Sequence, residues 1–498
     1  MTTWLISRHE GAAAWAKAKG LIDDSAKLVA DLKLATLQPD DVVIGNLPAH
    51  LAAEVCELGA HYHHLKIDLE MTQRGMELSR DELERAGASI VPYRVEATPS
   101  LRGPRGKVLQ VCVVSGEGLP NYLPMQVEGL KPNVVVLLAS GVMARKADTL
   151  ARAMEQTRLS KPTIRVDLPD HDVNAIIRYG RELATRLAAE YPNYRLLLNL
   201  TGGNKLIALG LFQGMRSRFE IFYCDTAHDR LEWVSPPDRG VQALDHGLLN
   251  LERYLSVQGL SAEPSNPSLP SEDMRHMARY LADQAAYLSV DFFRRLNNAA
   301  KAHDPRGHSS YSPTLNLTDQ PGSQGIERQA AEKLLTSGFL VKSGDAYSVP
   351  KEEPKWSFLA GGWLEVYCAV VALALEREGL NRKRWGINVK VQPSNSLHQR
   401  TLQELDAVIV HRNRMLVIEC KTGQQLDKRD GLSQQSILNR LEVVGDQVAG
   451  SFATRFLLAT TDDFDNAVID RAARYRIRLV GKSQLRDLEG TVREWMNP

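Results

Sequence analysis

Cysteine is scarce in this chain: five in 498 residues, Cys56, Cys112, Cys224, Cys368 and Cys420, with no C-x-x-C pair among them. That spacing excludes a disulfide framework and the usual zinc and dithiol motifs, so the thiols read as small core hydrophobes. An excess of either charge is also missing, with 61 Lys and Arg against 60 Asp and Glu. A nonspecific nucleic-acid coat needs a basic excess, so nucleic-acid contact is left to a local groove. No apolar run reads as approaching the roughly 20 residues of a membrane helix. The opening TTWLIS lacks a charged-then-apolar leader, and the expectation is a cytoplasmic protein without a membrane partner.

What is present is enough chain for about three domains and one unusual stretch, LDAVIVHRNRMLVIECKTG at 405–423. Leu405 to Val410 and Met415 to Cys420 are apolar runs on either side of His-Arg-Asn-Arg, which predicts a hairpin with a polar turn. With Val410 facing Met415, counting back sets Asp406 opposite Glu419, and strand alternation puts Lys421 on the same face as Glu419. Facing carboxylates destabilise a ladder unless a cation compensates, and a divalent metal with a nearby lysine suits phosphodiester hydrolysis. An exposed Glu-Lys pair on a surface hairpin is the plainer reading. Upstream, LAGGWLEVYCAVVALALERE has helical spacing and places Glu365 near the first turn.

A helix with Glu365, a strand with Asp406 and then Glu419-Cys420-Lys421 resembles the PD-(D/E)XK nuclease fold over about the last 150 residues. The resemblance implies that Glu365, Asp406 and Glu419 hold Mg²⁺ or Mn²⁺ while Lys421 assists the attacking water. In GLSQQSILNRLE, which looks like the following helix of that fold, Gln434 and Arg440 suit either substrate phosphate or a solvated helix face.

The first hundred residues alternate strands and helices, predicting a small, mostly parallel α/β unit with ligands at the carboxyl ends of strands. Ser7-Arg8-His9 and Gly45-Asn46-Leu47-Pro48 fall there, as ligand loops or simple helix caps. His61 and His63 share a strand face, but no acid or thiol stands near them in sequence to complete a metal set. The W-L-I-S-R-H opening, the V-I-G-N-L-P loop and RGMELSRDELE resemble a small CRISPR-associated family linked to ring nuclease activity, the degradation of cyclic oligoadenylates. Arg8 and His9 are then chemical candidates for phosphate binding and acid or base work.

A second α/β run follows PSLRGPRGK, with strands leading into Ser115-Gly116-Glu117-Gly118, Ser140-Gly141-Val142-Met143 and Thr201-Gly202-Gly203-Asn204-Lys205. TGGNK fits neither G-x-x-x-x-G-K-[ST] nor G-x-G-x-x-G, and reads as a tight turn or as an anion cradle at a helix N-terminus. Residues 105–250, and T-G-G-x-K above all, resemble the CARF domain, a Rossmann-like sensor of cyclic oligoadenylates. The likeness implies that Thr201, Gly202, Gly203, Asn204 and Lys205 cradle phosphate and ribose while Ser115, Gly116 and Met143 line the nucleobase side.

A Pro/Ser-rich linker at 261–270 precedes a helical stretch from Glu272 to Asn298, a polar insertion, and a helix plus hairpin with the look of a winged helix. That bridge reads either as packing between sensor and nuclease or as a DNA reader. The expected organisation is α/β multidomain: a ring-nuclease-like α/β domain at 1–98, a CARF sensor at 105–260, a winged-helix-like bridge at 271–350 and a PD-(D/E)XK nuclease domain at 351–498. The combination resembles CRISPR ancillary nucleases of type III antiviral defence. It implies a homodimer, activated by cyclic oligoadenylate with the cyclic tetramer as the expected form, that cuts DNA or RNA while the N-terminal domain removes the activator. A restriction or repair nuclease governed by another nucleotide, and a messenger-sequestering protein with a silent nuclease, are the alternatives.

Overall fold

The computed structural model describes residues 1–7, 10–69, 77–96, 106–156, 161–262, 269–305, 311–317, 324–394, 403–422 and 431–497. Arg8 and His9 therefore lie outside the described residues, as do most of PSLRGPRGK and the middle of the 261–270 linker. The chain divides into two compact units, one of residues 1–111, 168–223 and 233–240, the other of 112–167, 224–232 and 241–498.

In the first unit, strands β1 (Thr3–Ile6), β2 (Lys27–Val29), β3 (Val42–Gly45), β4 (His61–Lys66) and β5 (Ser89–Tyr93) form a sheet in the order β2-β1-β3-β4-β5. All pairings are parallel except β4 with β5. Both faces are buried, as a parallel sheet requires. Leu5, Ile44 and Leu65 meet Trp15 and Leu83 on one side, and Trp4, Val43 and Tyr62 meet Val55 on the other. Buried Asp41 is satisfied by Thr2 N at 2.6 Å, Trp4 Nε1 at 3.1 Å and Gln38 N at 3.1 Å.

A seven-stranded sheet holds β6 (Val108–Val113), β7 (Val134–Leu138), β8 (Thr163–Arg165), β9 (Arg195–Asn199), β10 (Glu220–Asp225), β11 (Arg230–Ser235) and β12 (Val241–Ala243), in the order β12-β11-β10-β9-β6-β7-β8. Its central β6 is buried throughout, which explains the unbroken apolar character of that segment apart from Gln110.

The second unit also holds a mixed six-stranded sheet and the bridge. The sheet runs β13 (Leu260–Ala262), β17 (Trp385–Pro393), β18 (Gln403–His411), β19 (Arg414–Lys421), β20 (Ala453–Ala459) and β21 (Ile477–Val480). Helices Glu272–Gln284, Val290–Lys301 and Gln324–Thr336 flank a small sheet ordered β14 (Thr314–Leu315), β16 (Ala346–Ser348), β15 (Val341–Ser343). The helical stretch expected from Glu272 to Asn298 consists of two helices, and the Ser289 side chain, accepting from Phe292 N at 2.9 Å, caps the start of the second. Bridge and nuclease share one hydrophobic core, in which Met277, Phe292 and Leu334 belong to the same cluster as Trp363, Ile409 and Leu416.

One expectation about apolar runs is overturned. Lys355–Glu376, whose most apolar 18-residue stretch has mean hydropathy 1.9, is long and apolar enough to cross a membrane. It runs through that core, with Trp363 stacked on Phe293 at 5.5 Å, and a helix buried on all sides is apolar on all sides.

Candidate active site

The predicted hairpin forms in the predicted register, Val410 facing Met415. His411 pairs with Arg414, and the two residues between them, Arg412 and Asn413, have φ of 47° and 56°, as a type I′ turn demands. Counting from Ala407 opposite Ile418, Asp406 lies across from Glu419. Ala407, Ile409, Leu416 and Ile418 enter the shared core, so alternation turns Asp406, Glu419 and Lys421 to the other face.

There the three converge. Lys421 Nζ is 2.5 Å from Glu419 Oε1 and 3.6 Å from Asp406 Oδ2. Cys420 N donates to Asp406 Oδ2 at 2.7 Å, which fixes the carboxylate's rotation. Glu365, in the first turn of Trp363–Glu376, is partly buried; desolvation first and the negative charge of Asp406 second push its pKa to about 7, against a hydrogen bond from Asn388. Burial, and then Glu419, raise Asp406 as well. Burial alone would lower Lys421, but Glu419 and Asp406 outweigh it and hold the ammonium charged. Among the described residues no three His, Cys, Asp or Glu side chains already surround a single metal position. Three carboxyls against one ammonium nevertheless leave a desolvated acidic excess, the chemistry a hard divalent cation with oxygen ligands matches.

Several supporting residues escaped sequence reading. Asn388, at φ 51°, lies on β17 opposite Asp406 of β18, between the pairs Ile387–Ala407 and Val389–Leu405. An asparagine inside an apolar strand was its one signal. Gly361 has φ 135°, and a Cβ there would sit 2.7 Å from Thr422 Oγ1, which accepts from buried Asn297 Nδ2 at 2.8 Å. Glycine thus lets the helix that carries Glu365 start against the strand that ends in Lys421. Cys368 and Cys420 bring their sulfurs to 3.8 Å behind the site; burial pushes the Cys420 thiol up and keeps it unreactive. Arg440 is on an exposed helix face, and the Gln434 side chain and the segment 423–430 lie outside the described residues.

The turn of this hairpin is held by residues 229–247 of the same unit. Arg412 Nε donates to Asp229 Oδ2 at 3.2 Å, Asn413 Nδ2 to Asp245 O at 3.1 Å, and Arg384 Nη2 to Gly247 O at 3.0 Å. Asp229 is 4% exposed and itself sits in a left-handed turn, φ 50°, between β10 and β11. Burial, then Arg384 and other cations nearby, push His411 down to about 4. In the same unit the Ser115–Gly118 loop reaches the nuclease segment through Glu117, which accepts from Ser451 N at 3.0 Å and Ser451 Oγ at 2.6 Å. Gly116 is open to solvent, and Met143 ends a short turn, Gly141–Met143.

In the first unit, Thr201 N and Oγ1 donate to Asn199 Oδ1 at 3.0 and 2.6 Å. Gly203 has φ 81°, and Asn204 caps the helix Lys205–Met215 by accepting from Ile207 N. The loop therefore presents Lys205 and a helix N-terminus, the arrangement expected of an anion cradle. Elsewhere in that unit the Tyr62 hydroxyl contacts Gly45 O at 3.1 Å, Leu47 N at 3.2 Å and His64 Nδ1 at 2.7 Å, joining His64 to the Gly45–Pro48 loop. Tyr62 did not stand out in the sequence, and His64 did so only as a neighbour of His61 and His63 on the opposite face of their strand.

A Glu-bearing core helix packed on a mixed sheet, with Asp and Glu-x-Lys on adjacent strands, defines the PD-(D/E)XK nuclease class. Residues 352–498 match the model of the Card1-like endonuclease domain, and residues 4–96 match that of a putative CRISPR-associated protein, Cas_VVA1548. The two matches cover the two ends of the chain, a Cas_VVA1548-like segment in front and a Card1-like endonuclease domain behind. Among solved structures, protein VC1899 from Vibrio cholerae superposes with a TM-score of 0.65 at 20% identity, covering 78% of this chain and 98% of that one. Can2 from Sulfobacillus thermosulfidooxidans, solved in complex with cyclic tetra-adenylate, gives 0.61 at 20% identity, with 78% and 97% covered. At that identity both likenesses establish the fold. No curated protein matches the sequence.

The raised carboxyls give a sign to the pH dependence. Folded Glu365 and Asp406 hold protons above the ordinary 4.5 and 3.8, so the metal-free fold binds more protons than the unfolded chain there. Their contribution to stability falls as pH rises from about 4 to 7. A cation that needs both groups ionised acts oppositely. In thermal melts, Mn²⁺ is expected to raise Tm more at pH 8 than at pH 5.5, and Asp406→Asn to flatten that difference.

Proposed function

We propose that this protein is a metal-dependent nuclease switched on by a cyclic oligoadenylate, the cyclic tetramer first among candidates, and that its N-terminal domain degrades the same messenger. The observation that carries the reading is the convergence of Asp406, Glu419 and Lys421 beside Glu365 in a Card1-like endonuclease domain. Glu365, Asp406 and Glu419 are the residues that would hold Mg²⁺ or Mn²⁺; bound there, the cation supplies Lewis acidity toward a backbone phosphate. Lys421 holds a proton and a positive charge over Glu419 and Asp406, where the attacking oxygen and the phosphate would both feel it. Asn388 and the Cys420 N-H orient the acids so that little reorganisation accompanies the reaction.

Messenger binding is assigned to the loop Thr201–Lys205 and, on the sensor's other strands, to Ser115, Gly116 and Met143. Leu206 and Leu209 are 42% and 63% exposed on the helix after Lys205, an apolar surface that suits a two-fold partner and supports a homodimer. For the N-terminal domain, His64 is the described imidazole with a hydrogen-bonded neighbour; Arg8 and His9 remain candidates from sequence. The working compartment is taken to be the cytoplasm, with DNA or RNA as substrate.

The test mixes the protein with Mn²⁺ or Mg²⁺, supercoiled plasmid and labelled single strands, with and without cyclic tetra-adenylate, while chromatography follows the cyclic ligand. Messenger-dependent cleavage with loss of the ligand is expected; no messenger-dependent cleavage would sink the activation claim, and an undiminished ligand would sink the degradation claim. Lys205→Ala is expected to raise the messenger concentration for half-maximal cleavage by about tenfold, the loss of one charge-assisted phosphate contact, with cleavage at saturation unchanged.

A further inference from the structure

Three adjoining cavities line one seam of the first unit, where the β1–β5 sheet and helix Ala49–Glu57 meet helices Val173–Glu190 and Lys205–Met215. Arg181 is the one side chain that borders all three. Its guanidinium is half-buried, and among the described residues it has neither an ion pair nor a hydrogen bond. Glu57 and Asp40 attract it only through space, Glu54 and Glu182 line the same cavity, and the nearest glutamates are paired with other arginines. Glu96 takes Arg94 at 2.6 Å and also Arg216; Glu57 takes Arg218 at 2.5 Å and Ser217 at 3.3 Å. Six arginines line the seam against four glutamates, which leaves it positive, and a half-buried cation with no directly paired carboxylate gains from an arriving anion. Gly59 makes the room: a Cβ there would lie 2.4 Å from Arg181 Nη1.

The two larger cavities differ in chemistry. The first, about 370 Å³, is lined by His61, His63, Tyr93 and Arg94 as well as Arg181. His63 has no hydrogen-bond partner among the described residues, and His61 has only Asp40, at 3.9 Å. The other, about 680 Å³, offers Leu34, Pro39, Leu58 and Ala189. An anion seat beside an apolar wall, at volumes typical of ligand pockets, selects a ligand with one charged and one flat apolar end. We propose that this seam binds a nucleoside monophosphate, or the phosphorylated end of a short linear oligonucleotide, with phosphate on Arg181, Arg94 and His63 and the nucleoside against Leu34 and Leu58. The site is separate from the TGGNK loop and from the nuclease centre. It rests on neither function proposed above.

Calorimetry on the full chain with adenosine monophosphate, inorganic phosphate and adenosine tests the proposal. Saturable binding of the monophosphate is expected below millimolar, at least tenfold tighter than phosphate or adenosine alone. Arg181→Gln and His63→Ala should each weaken it by tenfold or more, Arg181→Lys by less, and Lys205→Ala should leave it unchanged. Lys205→Ala separates this seam from the sensor loop, and circular-dichroism melts check that each variant is folded. Absence of saturable binding, equal affinity for phosphate alone, or binding indifferent to both Arg181→Gln and His63→Ala would overturn it. Loss with Lys205→Ala would return the ligand to the sensor. If Arg181→Gln fails to fold, His63→Ala and Arg181→Lys decide the matter.

Discussion

Replacing Asp406 by Asn should lower messenger-stimulated cleavage by a factor of about 1,000 or more while leaving messenger affinity unchanged. The size follows from its position. Asp406 is the carboxylate that touches every other part of the centre: the Cys420 N-H, Lys421, and through charge Glu419 and Glu365. Removing one member of a group that acts as a unit costs nearly the whole of the unit's contribution. Asparagine keeps the volume and an acceptor for Cys420 N, so the fold is expected to persist. Titrating cyclic tetra-adenylate against the variant by calorimetry, alongside plasmid cleavage with Mn²⁺, separates the two properties. Cleavage within tenfold of the parent would remove Asp406 from the reaction.

Arg412→Ala is the second large effect. Asp229 is 4% exposed, and beyond Arg412 the nearest basic side chain paired with it is His246, at 3.9 Å. Breaking a buried pair from one side costs about 3 kcal/mol because the remaining charge stays desolvated. That penalty falls on the turn joining β18 to β19, six residues from Asp406, so the sensor would lose its grip on the strands that carry the acids. The expected result is a loss of stimulation by the messenger of tenfold or more, with messenger binding retained. Hydrogen exchange at 411–414 should quicken at the same time. Arg412→Lys, which keeps a charge but not the planar fork, should fall between. Unchanged stimulation in the alanine variant would show that activation reaches the acids by another route, of which Glu117 with Ser451 is the one at hand.

The centre was legible where chemistry and local geometry coincide. Alternation and a two-residue turn are enough to put Asp406, Glu419 and Lys421 on one face, and a first-turn position is enough to aim Glu365. What sequence could not reach is whatever depends on segments far apart in the chain. Asn388 lies 18 residues from Asp406 and meets it only through strand register. Asn297 and Thr422 meet across 125 positions, and Cys368 and Cys420 across 52. The break at Ser289 was readable as a serine cap, but helical spacing on both sides hid it. Hydropathy along 355–376 was equally ambiguous, because burial in a core and burial in lipid demand the same side chains. Tyr62 and His64 share a strand, yet their meaning lies in the Gly45–Pro48 loop that Tyr62 touches.

Strand β13 has a practical consequence. Leu260–Ala262 pairs antiparallel with Val391–Pro393 and forms the outer edge of that sheet, although it lies at the start of the linker and precedes the bridge in the chain. A fragment cut at the linker, the natural place by composition, would lose that strand and bare the backbone of β17 to any neighbouring copy. Edge-to-edge pairing follows from such exposure. A soluble nuclease fragment should instead begin upstream of Leu260, and a peptide spanning 258–262 should clear the turbidity of the shorter one.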